Sequence, residues 1–263
     1  MVRDFKRRWP ARAALGLACV GASLLGGANA TFAAPIPHGD RVGATVDYLN
    51  IQEESGSDAG AELFGAPTIS SDSLDFNPTN FAASASNGAT DTTDSTLGFT
   101  IVAHPGKAIK SVSIVEAGDA SLSGFSNDAQ ASVTARVTVE VLEINGSTAV
   151  SYSTADNLAF SPNGGSYLLS AVGSPTFNTA WDGNLLVDVT PLLPSPTDFA
   201  SKVQVTLFNV LTATSQDGTS AFIQKKDADA SSVSIDAVTV PEPAAALAAL
   251  FSMAIAATCR RRS

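Results

Sequence analysis

The sequence predicts an all-β domain, a two-sheet antiparallel sandwich of jelly-roll type, set between an N-terminal signal segment and a single C-terminal transmembrane helix. Three observations point there. Apolar side chains recur at every second position in several stretches, the pattern of a half-buried strand. Gly, Pro, Asn and Asp clusters separate those stretches at short intervals. Both ends of the 263-residue chain carry uncharged runs flanked by basic side chains.

The clearest strand is 133–141. Val133, Ala135, Val137, Val139 and Val141 alternate there with Thr134, Arg136, Thr138 and Glu140. Asn145-Gly146 follows, a dipeptide suited to the two positive-φ positions of a tight hairpin turn, and leads into a strand from Thr148 to Tyr152. Val203, Val205 and Leu207 form a second alternating set, and Val233, Ile235 and Ala237 a third. Further strand candidates are 42–51, 68–76, 96–103, 108–116, 184–189 and 221–224. A short helical turn is expected near 53–63 and no other helix in the middle of the chain. About ten short strands in roughly 200 residues suit a sandwich, with a closed barrel as the alternative. Residues 35–39 read as a polar, proline-bearing leader with His38 exposed to solvent.

The formal charge of -10 is unevenly spread. Arg3, Lys6, Arg7, Arg8 and Arg12 crowd the start, and Arg260, Arg261 and Arg262 crowd the end. The segment 31–240 retains seven basic residues against twenty-three acidic ones, near -16. Such a surface repels nucleic acid and anionic lipid. Cys19 and Cys259, the two cysteines, lie in the terminal apolar runs, so the middle has no disulfide, thiolate metal site or cysteine nucleophile.

The front matches a secretory signal over 1–30: a basic region, an apolar run, and small side chains at Ala28 and Ala30 for a signal peptidase, with cleavage after Ala30. Pro10 and the missing flanking pattern favour the Sec machinery over a twin-arginine route at Arg7-Arg8. Cys19 fits lipoprotein acylation poorly.

At the back, 241–263 opens with Pro241, Glu242 and Pro243. An uncharged run follows over 244–259, then the arginine cluster. As a helix that run reaches about 24 Å at ~1.5 Å per residue. That is short of a ~30 Å hydrocarbon core unless the arginine stems extend it. The terminal arginines would stay cytoplasmic and leave the acidic domain outside.

This arrangement resembles the PEP-CTERM sorting signal of exported bacterial proteins. The resemblance implies that Pro241, Glu242 and Pro243 form the element recognised by an exosortase. It also implies that the helix and Arg260, Arg261 and Arg262 position that element in the membrane, and that the setting is exopolysaccharide and biofilm. The stretches beginning at Asp94, Lys110 and Ala221 resemble ectodomains of uncharacterised members of the same group, which carry no known activity.

No catalytic constellation is readable. His104 precedes Pro105-Gly106 at a strand end, and Gly164-Gly165-Ser166-Tyr167-Leu168 lacks the closing glycine of a nucleophile elbow. Glu140 and Glu143 sit three apart on a strand and should face opposite ways. Asp91 with Asp94, Asn127 with Asp128, and Asp227 with Asp229 are loop acids that could serve calcium, although Asp in a turn more often caps the backbone. No cofactor is expected beyond such structural calcium. The reading is therefore a non-enzymatic cell-surface or extracellular-matrix protein, with exopolysaccharide as a candidate partner. A glycan-binding module using exposed Trp181, Tyr167 and Tyr152 is the alternative, and a polysaccharide-active hydrolase the least favoured.

Overall fold

The computed structural model describes residues 34–226 and 233–242. The signal segment with Ala28 and Ala30, the acids Asp227 and Asp229, and Pro243 through the arginine cluster lie outside the described residues.

The chain is all-β and antiparallel. Its strands are β1 (Ile36–Val42), β2 (Val46–Glu54), β3 (Thr68–Ser70), β4 (Ser73–Phe76), β5 (Ala82–Ser86), β6 (Thr90–Ala103) and β7 (Lys107–Ser123). Then follow β8 (Ala129–Ile144), β9 (Thr148–Asn157), β10 (Ala159–Ser161), β11 (Ser166–Leu168), β12 (Thr176–Asp188), β13 (Ala200–Ser215), β14 (Ser220–Lys225) and β15 (Val233–Pro241). The longest α-helical piece among the described residues is α1 (Leu169–Val172), a single turn that ends on Gly173 at φ 67°.

Two long strands organise the pairing. β13 lies between β6 and β8 over nearly its whole length, and β6 continues to β2 and β1 while β8 continues to β9 and β11. β7 holds β12 along one edge. Its other edge carries β15 and then β14 end to end, against Lys107 to Glu116 and Gly118 to Ser123 respectively. β15 continues to β4 and β3, β14 to β5, and β12 to β10. A single pairing, Ala200 with Ile109, joins the two blocks. The result is a nearly closed, barrel-like sheet, between the sandwich and the barrel that the sequence suggests.

Alternation puts one side of each long strand into a common core. Val203, Val205, Leu207 and Leu211 of β13 share one buried cluster with Leu97 and Phe99 of β6, Val112 and Ile114 of β7, and Val137 and Val139 of β8. The aromatic group Phe64, Phe76 and Phe81 belongs to the same cluster. Phe64 meets Phe76 and Phe81 edge-on at 5.9 and 5.2 Å, geometry that aromatic rings favour. Asn145 and Gly146 take φ 56° and 75°, and Ser147 N–H donates to Ile144 O, so the expected tight hairpin between β8 and β9 is present.

Several expectations need correction. The leader is strand β1, paired with β2, and His38 is buried, not exposed. The segment 53–63 holds no helix: β2 runs through Glu54 and turns follow it. The run 68–76 is broken at Ser71, φ 55°, into the hairpin of β3 and β4. Asp72 at that corner binds Thr45 through its backbone N–H and hydroxyl, at 2.7 and 2.6 Å. Partial burial raises the Asp72 pKa, but these hydrogen bonds outweigh it and hold the group below its ordinary value.

Candidate functional site

The sequence-predicted groups separate when placed on the fold. Glu140 accepts from the Ser151 hydroxyl of β9 at 2.6 Å, while Glu143 accepts from the Ser201 hydroxyl at 2.9 Å and meets Lys202 of β13 at 3.5 Å. Each carboxylate is thus engaged with a different neighbouring strand. His104 lies 2.8 Å from Asp47, and its backbone N–H donates to Thr45 O, as suits the turn it occupies.

Asp91 and Asp94, expected in a loop, stand on β6, and they and Asp128 all accept from backbone N–H groups. Asp91 accepts from Ser84 N–H, and Asp94 accepts from Ser57 N–H at 2.6 Å. Asp128 accepts from the Ser170 hydroxyl and from the Ser170 and Ala129 N–H groups, bonds that lower its pKa from the ordinary carboxylate value. Asp128 alone of the three lies in a loop, where it caps the backbone, whereas Asp91 and Asp94 reach from β6 to neighbouring segments.

The proposed aromatic platform is not assembled. Trp181 and Tyr167 are buried, and Tyr152 stands half-exposed on β9. The burial of Trp181 has a sequence cause. Trp181 pairs across from Gly118 and Phe160 across from Gly183, so each ring lies over a residue with no side chain. Trp181 and Phe160 then meet edge-on at 5.8 Å.

A different aromatic is free. Phe125, in the loop between β7 and β8, is 94% exposed. It rims a cleft of about 580 Å³ whose polar lining includes Asn127, Asp128, Ser170 and Gln216. Leu168 and Val172 are also substantially exposed on the neighbouring segment. The sequence signal for this site was weak, since Phe125 belongs to no alternating pattern.

At the far end of the fold, β15 brings Pro241 against Lys107. Glu242 then clasps the turn before β7: its N–H donates to Gly106 O, and its Oε1 accepts from Gly106 N–H, both at 3.1 Å. Of the residues in the C-terminal motif, Pro241 and Glu242 are therefore integral to the edge of the β-fold.

The densest group of ligating side chains lies between β1, β2 and the loop after β2. His38 Nε2 stands 2.9 Å from Glu53 Oε1, and His38 Nδ1 stands 3.4 Å from Glu62 Oε1. Glu53 is fully buried, and its carboxylate accepts from three consecutive backbone N–H groups, those of Leu63, Phe64 and Gly65. Sequence reasoning missed this group because alternation from Val46 and Tyr48 points Glu53 outward. Asn50 adopts φ 54° and the register shifts there, which turns Ile51 and Glu53 inward.

No protein-family model matches the chain, nor does any curated protein sequence. Among solved structures, it is similar to the enzymatically active domain of tailspike protein 4 of bacteriophage CBA120, at 13% identity and TM-score 0.23, over 72% of this chain and 18% of that one. It is also similar to TmCBM61 in complex with beta-1,4-galactotriose, at 7% identity and TM-score 0.21, over 67% of this chain and 91% of that one. The chain thus spans less than a fifth of the tailspike domain. Likenesses this slight bear on neither ligand nor activity.

Proposed function

We propose that this chain is an exported, non-enzymatic β-protein of the cell surface or extracellular matrix. Its domain, in this reading a two-sheet sandwich, is delivered by the Sec machinery and sorted through its C-terminal signal by an exosortase. One observation carries the reading: the β-structure is bounded by Ile36 and Pro241, and the charge-flanked apolar runs lie beyond both bounds. Among the described residues the buried positions extend from His38 to Ala237, and no helix is long and apolar enough to cross a membrane. The apolar runs flanked by basic residues lie at the two ends of the sequence. The acidic surface suits residence outside the cytoplasm, next to neutral or cation-bridged polysaccharide.

The test is replacement of Arg260, Arg261 and Arg262 by neutral residues in an exosortase-bearing host. The variant should accumulate as unprocessed chain and lose its retention at the membrane. Processing and release indistinguishable from the parent would overturn the sorting role.

A second reading, glycan binding, is favoured by Phe125, an exposed ring beside a polar cleft. A glycan array probed with the chain, with and without calcium, separates the two. Phe125→Ala should reduce any specific binding up to about tenfold, the value of one aromatic contact. An array with no specific signal removes this reading and leaves the first.

A further inference from the structure

We propose that His38 and Glu62 bind a divalent, zinc-like cation, with Glu53 as the buried carboxylate that aims the imidazole. A neutral imidazole carries one N–H. Glu53 is acceptor-only as a carboxylate, and it already faces three backbone donors, so the ring proton belongs on Nε2, 2.9 Å from Glu53 Oε1. Nδ1 then presents a lone pair toward Glu62 Oε1, 3.4 Å away. Two lone pairs in opposition are stabilised by a cation between them.

The spacing fits a metal ion. Ligands ~2.0–2.1 Å from a tetrahedral zinc stand about 3.4 Å apart. Ligand atoms of His38, Glu53 and Glu62 all fall within 4.8 Å of one another. The carboxylate–imidazole–metal relay is the usual way a protein fixes the tautomer of a metal-binding histidine. A mixed imidazole and carboxylate pair suits a borderline ion better than calcium, which takes oxygen ligands throughout.

The surroundings hold the parts in place. The three N–H groups that bind Glu53 directly follow Glu62, so the clasp fixes the loop that carries the second ligand. Arg41 donates to His38 O at 3.1 Å and Pro67 O at 3.0 Å, which ties β1 to the end of the same loop. The His38 side chain is 2% exposed and that of Glu62 55%. Glu62 also lines an open cleft of about 500 Å³ with Asn77 and Asn80. The ion would enter from that side, and water would fill its remaining positions.

The full-length chain, prepared without a histidine tag and stripped with a chelator, should be titrated with Co²⁺. The expected result is the intense visible absorption of a tetrahedral cobalt site, displaced by stoichiometric Zn²⁺ and not by Ca²⁺. Glu62→Gln, a surface change, should weaken Co²⁺ at least about tenfold, and Glu53→Gln about 10–100-fold, the usual cost of an outer carboxylate. His38→Gln should abolish the absorption, with far-UV circular dichroism confirming the β-fold in each variant. Absence of the tetrahedral spectrum in the parent chain would show that the proposal is wrong. Equal Co²⁺ affinity in the parent, Glu62→Gln and His38→Gln chains would overturn it as well.

Discussion

Lys225→Met should destabilise the fold by about 3–5 kcal/mol, because it strands a carboxylate in the core. Lys225 and Glu116 are both fully buried, and Lys225 Nζ donates to Glu116 Oε2 at 2.6 Å. Asn209 Nδ2 donates to the other oxygen at 2.8 Å. The ammonium also lies 5.3 to 5.9 Å from the ring centres of Phe81, Trp181 and Phe64. Burial lowers the lysine pKa, and the charge and hydrogen bond of Glu116 oppose that shift. The group spans the fold: Glu116 and Lys225 come from β7 and β14 of one block, Asn209 from β13 of the other. Urea denaturation measures the loss. A double variant, Glu116→Leu with Lys225→Met, should recover most of it, since apolar replacement of both partners removes the unpaired charge. A single Lys225→Met chain as stable as the parent would mean that Glu116 is not left as an unpaired charge in the core.

Gly118→Ala should cost about 1–3 kcal/mol, the ordinary penalty for overfilling a packed interior. A methyl group there would overlap both the Gln224 carbonyl and the Trp181 ring. Neither neighbour yields easily, because Gln224 belongs to β14, paired with β7 on the other edge, and Trp181 is wedged against Phe160. Trp181 is the only tryptophan after residue 30, so the emission of a chain lacking its signal segment reports the site directly. A red shift with a lowered denaturation midpoint is expected. An unchanged midpoint would show that the β7–β12 contact is looser than described.

Much of the β-character was legible because burial on one face writes itself into parity. β7, β8, β13 and β15 all show it, and the Asn145-Gly146 turn was readable from its backbone demands alone. Most of the stretches that escaped have little buried face, or, like β5, bury only alanine. β9 was read only as far as Tyr152, its remainder being exposed at most positions, and the first part of β12 mixes Asn, Thr and Asp with its apolar residues. Strand order escaped as well, since nothing local tells β13 to lie between β6 and β8. The polar interior was legible in part. Glu116 shares parity with Val112 and Ile114, and Lys225 with Ala221 and Ile223, so both charges stand at inward positions. The His38 group was not legible, because it depends on a parity change at Asn50 and on a loop ten residues further along.

The placement of β15 has a consequence for assembly. It fills the gap between β7 and β4, with Thr45 and Thr239 hydroxyls 2.8 Å apart and those of Ser73 and Ser234 2.9 Å apart. A chain made or threaded from its N-terminus therefore cannot seal its interior until β15 has been delivered. Before that moment β4 lacks its inner neighbour and part of the β7 edge is bare. The β-fold is thus closed by its last described strand, and completing that strand and completing the fold coincide.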